Sequence, residues 1–254
     1  MIDLHTHLLP GVDDGAETIE QAVAVLAQFR KQGVTTLCCT PHLKASEFSQ
    51  APCNELDELL EELRTQAGEQ SPRLVRGFEI MLDQPAPVVH DRCLTLNGTR
   101  YILVEFGRLV PADPSVEVLQ RITDQGLIPV LAHPERYAVC SIELAERWRE
   151  AGAVLQLDAT TLMSESKRAD RARDLLVAGL ASIIASDNHG DGRNLAASVD
   201  WIARHGGPLQ AQLLSSDNPA AILADRAVMP VPPMRIRRSW YTKLKDFVIG
   251  GAEA

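Results

Sequence analysis

MIDLHTHLLPGVDDGAETIEQAVAVLAQFRKQGVTTLCCTPH, residues 1–42, holds one complete strand–helix–strand pattern. Ile2–His5 is a short, mostly apolar run. Ile19, Val23, Leu26 and Phe29 then step by three or four residues, the spacing of one helical face, and the pattern stops before Gly33. Thr35–Thr40 is a second short run, nearly continuously apolar, as a strand buried on both faces should be. His5 and His7 end the first run, and His42 ends the second.

The same alternation continues along the chain. Further strands are expected at Leu74–Glu79, Ile102–Phe106, Ile128–His133, Ala153–Asp158 and Ser182–Ser186. Helical patterns lie between them at Asn54–Gly68, Pro114–Gly126, Ser141–Gly152, Glu165–Gly179 and Arg193–Gly206. Each of the six helices closes on a glycine suited to a C-cap. Seven strand–helix units without a linker point to an α/β fold, a single (β/α)7 barrel of parallel strands with outer helices. The polar residues support it. His5, Thr40–His42, Glu79, Glu105, His133, Asp158 and Asp187–His189 all fall at or just after strand C-termini, where a barrel gathers its chemistry. The Pro-rich stretch Met229–Pro233 closes a domain expected over residues 1–228. Residues 229–254 form a boundary and a tail, RIRRSWYTKLKDFV, with Trp240, Leu244, Phe247 and Val248 on one helical face.

Composition narrows the classes. The 254 residues are 45% apolar and carry a net charge of −9, which argues against nucleic-acid binding over the whole surface. The charge is uneven: residues 235–254 carry +3 and the remainder −12. The tail is expected to dock on its own barrel or on a second copy, a homo-oligomer, with no stable membrane insertion. No apolar run reaches the ~20 residues of a membrane span, and the N-terminus lacks a signal-peptide pattern. The five cysteines are irregularly spaced, so no disulfide framework is expected, in keeping with a cytoplasmic setting. None has an arginine six positions later, which excludes a C-x5-R thiolate phosphatase loop.

The ordinary readings of these residues compete with a functional one. An H-x-H pair puts both imidazoles on one face of a strand, about 7 Å apart along the chain, but can equally be core. Asp187 and His189 repeat that spacing, which shifts the balance to metal binding. His42 and His133 adjoin prolines that could simply end strands. Glu79 and Glu105 end apolar runs and need partners, and Arg76 or Arg108 could supply a salt bridge. Asp13 and Asp14 could cap the first helix, or one could be a ligand. Arg136 in HPER is suited to bidentate phosphate contact, with Lys44 a weaker candidate. Together these exceed the four ligands of a single tetrahedral zinc, so two or three metal ions are expected, and the donors suit Mn, Fe, Zn or Ni.

The strings MIDLHTHLLPGVDDGA, TTLCCTPH, GFEI, YILVEF, IPVLAHPER and IIASDNH, in that order, resemble the PHP (polymerase and histidinol phosphatase) superfamily. More narrowly, they resemble its CpsB/CapC-type bacterial protein-tyrosine phosphatases linked to capsule and exopolysaccharide synthesis. The resemblance implies a distorted seven-stranded barrel with three metals, usually manganese. It implies that His5, His7, Glu79 and Asp187 hold one ion, that Glu79, Glu105 and His133 hold a second, and that Asp14, His42 and His189 hold a third. It makes Arg136 a catalytic residue, with Asp14 a catalytic candidate as well as a ligand. The chain departs from the family pattern at GRLVP, residues 107–111, and at DATTLMSE, residues 158–165.

The function expected is a metal-dependent phosphomonoesterase acting on phosphotyrosine in a protein, such as a bacterial tyrosine kinase of capsule synthesis, by metal-activated hydroxide attack. A PHP-type hydrolase of a small phosphorylated metabolite such as histidinol phosphate is the alternative. A weakly active binding or regulatory module is a third reading, disfavoured by the completeness of the ligand set.

Overall fold

The structure is a computed structural model that describes residues 1–235. Its strands are β1 (Ile2–Thr6), β2 (Thr36–Cys39), β3 (His42–Lys44), β4 (Arg73–Arg76), β5 (Glu79–Met81), β6 (Tyr101–Glu105), β7 (Ile128–Ala132), β8 (Val154–Asp158) and β9 (Ile183–Ala185). All pair in parallel, as a sheet β1-β2-β4 and a sheet β3-β5-β6-β7-β8-β9. Backbone bonds run from one sheet into the other. Gly77 N–H donates to Cys39 O (3.0 Å) and Glu79 N–H to Pro41 O (3.1 Å). At the far side Asp187 N–H donates to His5 O (3.0 Å) and His7 N–H to Asn188 O (2.8 Å), tying β1 to the end of β9. The seven expected strand positions all appear in this order; β3 is an additional short strand just past the second, and the third is broken at Gly77 into β4 and β5.

Neither β3 nor the break at Gly77 was expected from the sequence, and each has a local cause. Pro41 has no N–H to continue the ladder of β2. At Gly77 a Cβ would stand 2.8 Å from Leu96 Cδ2, so a larger residue there would require the Leu96 side chain to shift. Beyond Pro41 and Gly77 the chain resumes with His42 opposite Glu79 in register, which delivers two candidate ligands as neighbours.

The strands are buried on both faces. Tyr101 and Leu103 of β6, Val130 and Ala132 of β7, Val154 and Ile183 form an inner cluster. Their alternates Ile102, Val104, Leu131, Leu155 and Leu157 join an outer cluster with helix residues such as Phe29, Leu119, Trp148 and Leu175. The helices are α1 (Ile19–Lys31), α2 (Cys53–Ala67), α3 (Ala112–Thr123), α4 (Ile142–Glu150), α5 (Ala159–Met163), α6 (Lys167–Ala178), α7 (Leu195–Arg204), α8 (Pro208–Gln212) and α9 (Asn218–Leu223). The six expected from periodicity are present, and the glycine after each has a positive φ. Helices α5, α8 and α9 have five or six residues, too short to show a period. Tyr101 Oη donates to Arg226 O (2.7 Å) and Ile222 of α9 enters the inner cluster, so the segment after α8 covers the N-terminal end of β6.

Cys53 and Cys93 form a disulfide that joins the start of α2 to the segment before β6, contrary to the expectation that the cysteines do not pair. Spacing misled because the partners lie 40 residues apart, on segments that only the fold brings together. The stretch Met229–Pro233 stays packed: Asn218 exchanges two hydrogen bonds with the Met229 backbone, and Met234 N–H donates to Val177 O (3.1 Å). Residues 236–254, where the basic amphipathic helix was expected, lie outside the described residues. Among the described residues no helix is long and apolar enough to cross a membrane.

Candidate metal centre

Nine side chains singled out in the sequence converge on the C-terminal ends of the strands. His5 lies near the end of β1 and His7 just past it, and His42 opens β3. Glu79 opens β5, Glu105 ends β6, His133 follows β7, and Asp187 and His189 follow β9. Asp14 comes from the loop between β1 and α1. Three groups offer donor atoms that lie within 4.8 Å of one another: His5, His7, Glu79 and Asp187; His42, Glu79 and Glu105; and His7, Asp14, His42 and His189. His133 adjoins the second group, its Nε2 2.9 Å from Glu79 Oε1 and 3.8 Å from Glu105 Oε2. Of the remaining histidines, His205 stacks on Trp201 and His90 is exposed, both away from this cluster.

The loop between β1 and α1 is folded back tightly. A Cβ on Gly15 would fall 2.0 Å from His7 O, so only glycine fits, and Ala16 N–H donates to that same carbonyl (2.9 Å). The fold-back sets Asp13 Oδ2 2.6 Å from His7 Nδ1. His5 Nδ1 lies 2.9 Å from the Gln156 side-chain oxygen Oε1, and His189 Nδ1 lies 2.9 Å from Asp187 O. Gln156 and Asp13 draw the ring protons of His5 and His7 to Nδ1 and leave a lone pair on each Nε2, whereas His189 Nδ1 also meets the donor Arg193 Nη1 (2.9 Å). The Nε2 atoms of His5 and His7 then face each other at 3.2 Å. Glu79 Oε2 stands 3.2 and 3.3 Å from them and Asp187 Oδ1 3.3 and 3.4 Å. Two imidazoles and two carboxylates meeting in a buried space repel one another unless protons or a cation sit among them, so this donor set fits a metal ion that displaces those protons.

Protonation follows the same electrostatics. Burial alone would lower the pKa of His5, but Glu79 and Asp187 overcome it and hold it at about 9. His7 is likewise raised against the pull of burial, chiefly by Asp13, Asp187 and Glu79. Burial would raise Glu79 and Asp187, yet the surrounding imidazoles, with Arg136 for Asp187, hold both well below the carboxylate range. Glu105 is pushed up to about 7 by burial and by the neighbouring Glu79 charge. Burial lowers His133, and burial with His7 lowers His189, which favours the neutral, ligating form of both.

Several ordinary readings of these residues fall away. Arg76 pairs with Asp57 (2.6 Å), so Glu79 has imidazole partners rather than a guanidinium. Lys44 pairs with Glu47 (3.3 Å) on the surface. Asp14 is 70% exposed, with Oδ1 3.4 Å from both His42 Nε2 and His189 Nε2. Asp13 holds His7 and also accepts from the N–H groups of Gly15 and His42, so the two adjacent aspartates divide positioning from ligand-like placement. Arg136 is three-quarters covered: Nη2 donates to Asp158 Oδ2 (2.6 Å) and to Asp187 Oδ2. Backbone strain marks the same place, since His133 and Asp187 have φ of 35° and 51°.

Sequence reasoning missed the supporting residues. Gln156 carried a signal, as the lone amide in the apolar strand VLQLD. Asp3 accepts from the N–H groups of His5 and Ser186 and is fully buried. Glu135 is also fully buried, accepts from Asp158 N–H (2.8 Å), and is pushed up to about 8 by burial and by Asp158. Arg193 donates to Asp187 O. No local pattern distinguishes these from surface charges. The cysteines offer no nucleophile: burial raises Cys39 and Cys140 to about 12.

Fold and donor set together define a parallel α/β-barrel protein with a candidate multinuclear metal centre. Residues 1–224 match the family described as Capsular polysaccharide synthesis, CpsB/CapC, and the chain belongs to that family. It is 31% identical over 245 residues to the tyrosine-protein phosphatase CpsB of Streptococcus pneumoniae, covering 90% of this chain and 100% of that one. It is 30% identical over 200 residues to a putative tyrosine-protein phosphatase CapC of Staphylococcus aureus, covering 74% and 77%. Among solved structures it is similar to one from the study of YwqE from Bacillus subtilis and CpsB from Streptococcus pneumoniae, described as unique metal-dependent tyrosine phosphatases. That match has a TM-score of 0.72 at 25% identity and covers 94% of this chain and 100% of the other. A lactonase from Deinococcus radiodurans shares the fold alone, with a TM-score of 0.51 at 12% identity.

Proposed function

We propose that this protein is a metal-dependent phosphomonoesterase that dephosphorylates phosphotyrosine in a protein, with a tyrosine kinase of capsule or exopolysaccharide synthesis as the partner. The observation that carries the reading is the convergence of five histidines and four carboxylates at one end of the strands, with Arg136 beside them, in a chain of the CpsB/CapC family. His5, His7, Glu79 and Asp187 would hold one ion, Glu79, Glu105 and His133 a second, and Asp14, His42 and His189 a third. Glu79 is suited to bridging because its two oxygens face different imidazoles. His7 has one free nitrogen, Nε2, which borders both the first and the third group, and in this reading it would serve the first ion. Manganese is the favoured metal, and iron, zinc or nickel suit the same donors.

Ions held there would supply Lewis acidity toward phosphoryl oxygens and acidify water at neutral pH. The residues do the rest. Asp13 and Gln156 fix the tautomers of His7 and His5 before substrate arrives. Arg136 is held by Asp158 and Asp187 with its guanidinium at the cluster edge, where it binds phosphoryl oxygens and stabilises the charge they carry in the transition state. Asp14, exposed beside His42 and His189, is the candidate to assist the leaving group. A tyrosinate, with a pKa of about 10, needs less protonation than a serine alkoxide. No thiolate phosphoenzyme is available to this chain.

The test is elemental analysis of purified protein combined with turnover of a phosphotyrosine peptide, a phosphoserine peptide and histidinol phosphate. Two to three ions per chain and preference for the phosphotyrosine peptide are expected. Full activity after exhaustive chelation would sink the metal reading, and preference for histidinol phosphate would replace the protein substrate with a metabolite.

A further inference from the structure

Beside the metal centre lies a second feature that the chemistry above does not use. A cleft of about 670 Å³ opens from Arg136, and Arg108, Lys167, Arg168 and Arg171 line it with no aspartate or glutamate. Five cations in one cleft stand out on a chain of net charge −9. Its floor is continuous with the site, because Thr161 Oγ1 donates to Asp158 Oδ2 (2.8 Å), the carboxylate that also holds Arg136.

Two of these cations sit where folding does not favour them. Lys167 and Arg168 are the first residues of the 12-residue helix α6, whose N-cap is Ser166. The dipole makes a helix N-terminus favour acidic side chains, so bases there cost stability rather than add it. Arg108, Lys167 and Arg168 have no ion-pair partner among the described residues. Arg171 is turned into the wall, its Nε donating to Glu135 O (2.9 Å). A converging set of unneutralised cations, next to a phosphate-binding arginine, complements an anionic ligand in extended contact with the site.

We infer that this cleft is a subsite for acidic side chains flanking the phosphotyrosine on the same polypeptide, and that Arg108, Lys167 and Arg168 set the preference for such sequences. The inference rests on the phosphatase reading for its substrate, but the cleft's binding is measurable apart from turnover. The contacts are solvent-exposed, so each contributes modestly and is screened by salt.

The experiment compares three phosphotyrosine peptides that differ only in carrying glutamate, glutamine or lysine on both sides of the phosphotyrosine. Both kcat/KM and binding by fluorescence anisotropy are read on metal-loaded full-length protein. The wild type is expected to favour glutamate over glutamine by roughly five- to tenfold, with lysine poorest, and to lose most of that preference near 0.5 M salt. Lys167→Glu combined with Arg168→Glu should abolish or reverse the preference while p-nitrophenyl phosphate turnover stays unchanged. Arg108→Ala, in a loop, provides the same readout if the double variant folds poorly. Equal binding of the glutamate and glutamine peptides by the wild type, or a preference untouched in the variants, overturns the subsite. Retained binding preference with no hydrolysis of any peptide upholds the subsite and overturns the phosphatase reading instead.

Discussion

Glu79 faces His5, His7, His42 and His133 with its two oxygens, and no other carboxylate of the cluster does so much. Glu79→Ala should therefore lower metal content by at least one ion per chain and reduce turnover together, as elemental analysis and kinetics would show. Arg136 touches no imidazole. Arg136→Ala should keep its metal and lose roughly 10²-fold or more in kcat on a phosphotyrosine peptide, the scale of losing one positioned charge donor. Wild-type kcat in that variant would remove Arg136 from the chemistry. Glu135 makes a different kind of prediction. Its folded pKa of about 8 lies above the ordinary 4.5, so the folded state holds a proton that the unfolded state releases. The stability this lends is complete below pH 4.5 and is lost as pH rises through about 8. Glu135→Gln should remove that slope, so that thermal melts of metal-free protein show the variant gaining on the wild type between those limits. The opposite trend would mean that Glu135 is ionised in the fold.

At the scale of elements, the loop between β1 and α1, the short strand β3 and the break at Gly77 do most to build the centre. Gly15→Ala places a methyl carbon 2.0 Å from His7 O, so the loop must move and Asp13 must leave His7. A loss of roughly 1–3 kcal/mol is expected for such overpacking, with weakened metal binding. A Gly15→Ala variant that melts and loads metal like the wild type would show that the loop is slack. The Cys53–Cys93 link ties α2 to the segment before β6 across 40 residues. Chain-entropy arguments give such a link about 4 kcal/mol, so Cys93→Ser should melt lower than wild type under non-reducing conditions while leaving the metal centre intact. Identical melts would show that the two thiols are not joined in solution.

For the whole molecule, metal binding and proton binding compete. The metal-free cluster keeps protons on His5 and His7, and on Glu105 up to about pH 7. Ligation needs those protons to leave. Apparent metal affinity should rise with pH from about 6 to about 9. Because metal binds the folded chain, added ion should raise Tm more at pH 8.5 than at pH 6. A Tm increment that is flat across this range would mean that the ligands are already deprotonated before metal arrives.

The strand–helix alternation, the six long helices with their glycine stops, and eight of the nine candidate ligands were legible as local properties of period, caps and strand-end position, while Asp14 was singled out only through the family resemblance. So were the strings that mark the CpsB/CapC family. Local patterns stop there. They could not show that Glu79 meets imidazoles while Arg76 turns to Asp57, because both choices satisfy a carboxylate and only packing selects one. They could not separate Asp13 from Asp14, whose roles differ through a fold-back that brings Gly15 against His7. Nor could they pair Cys53 with Cys93, or bury Glu135 and Asp3, which look like any surface acid until strands from distant segments enclose them. Those outcomes belong to tertiary structure, because each depends on which groups compete for a partner in the same space, and that is settled only when distant segments arrive together.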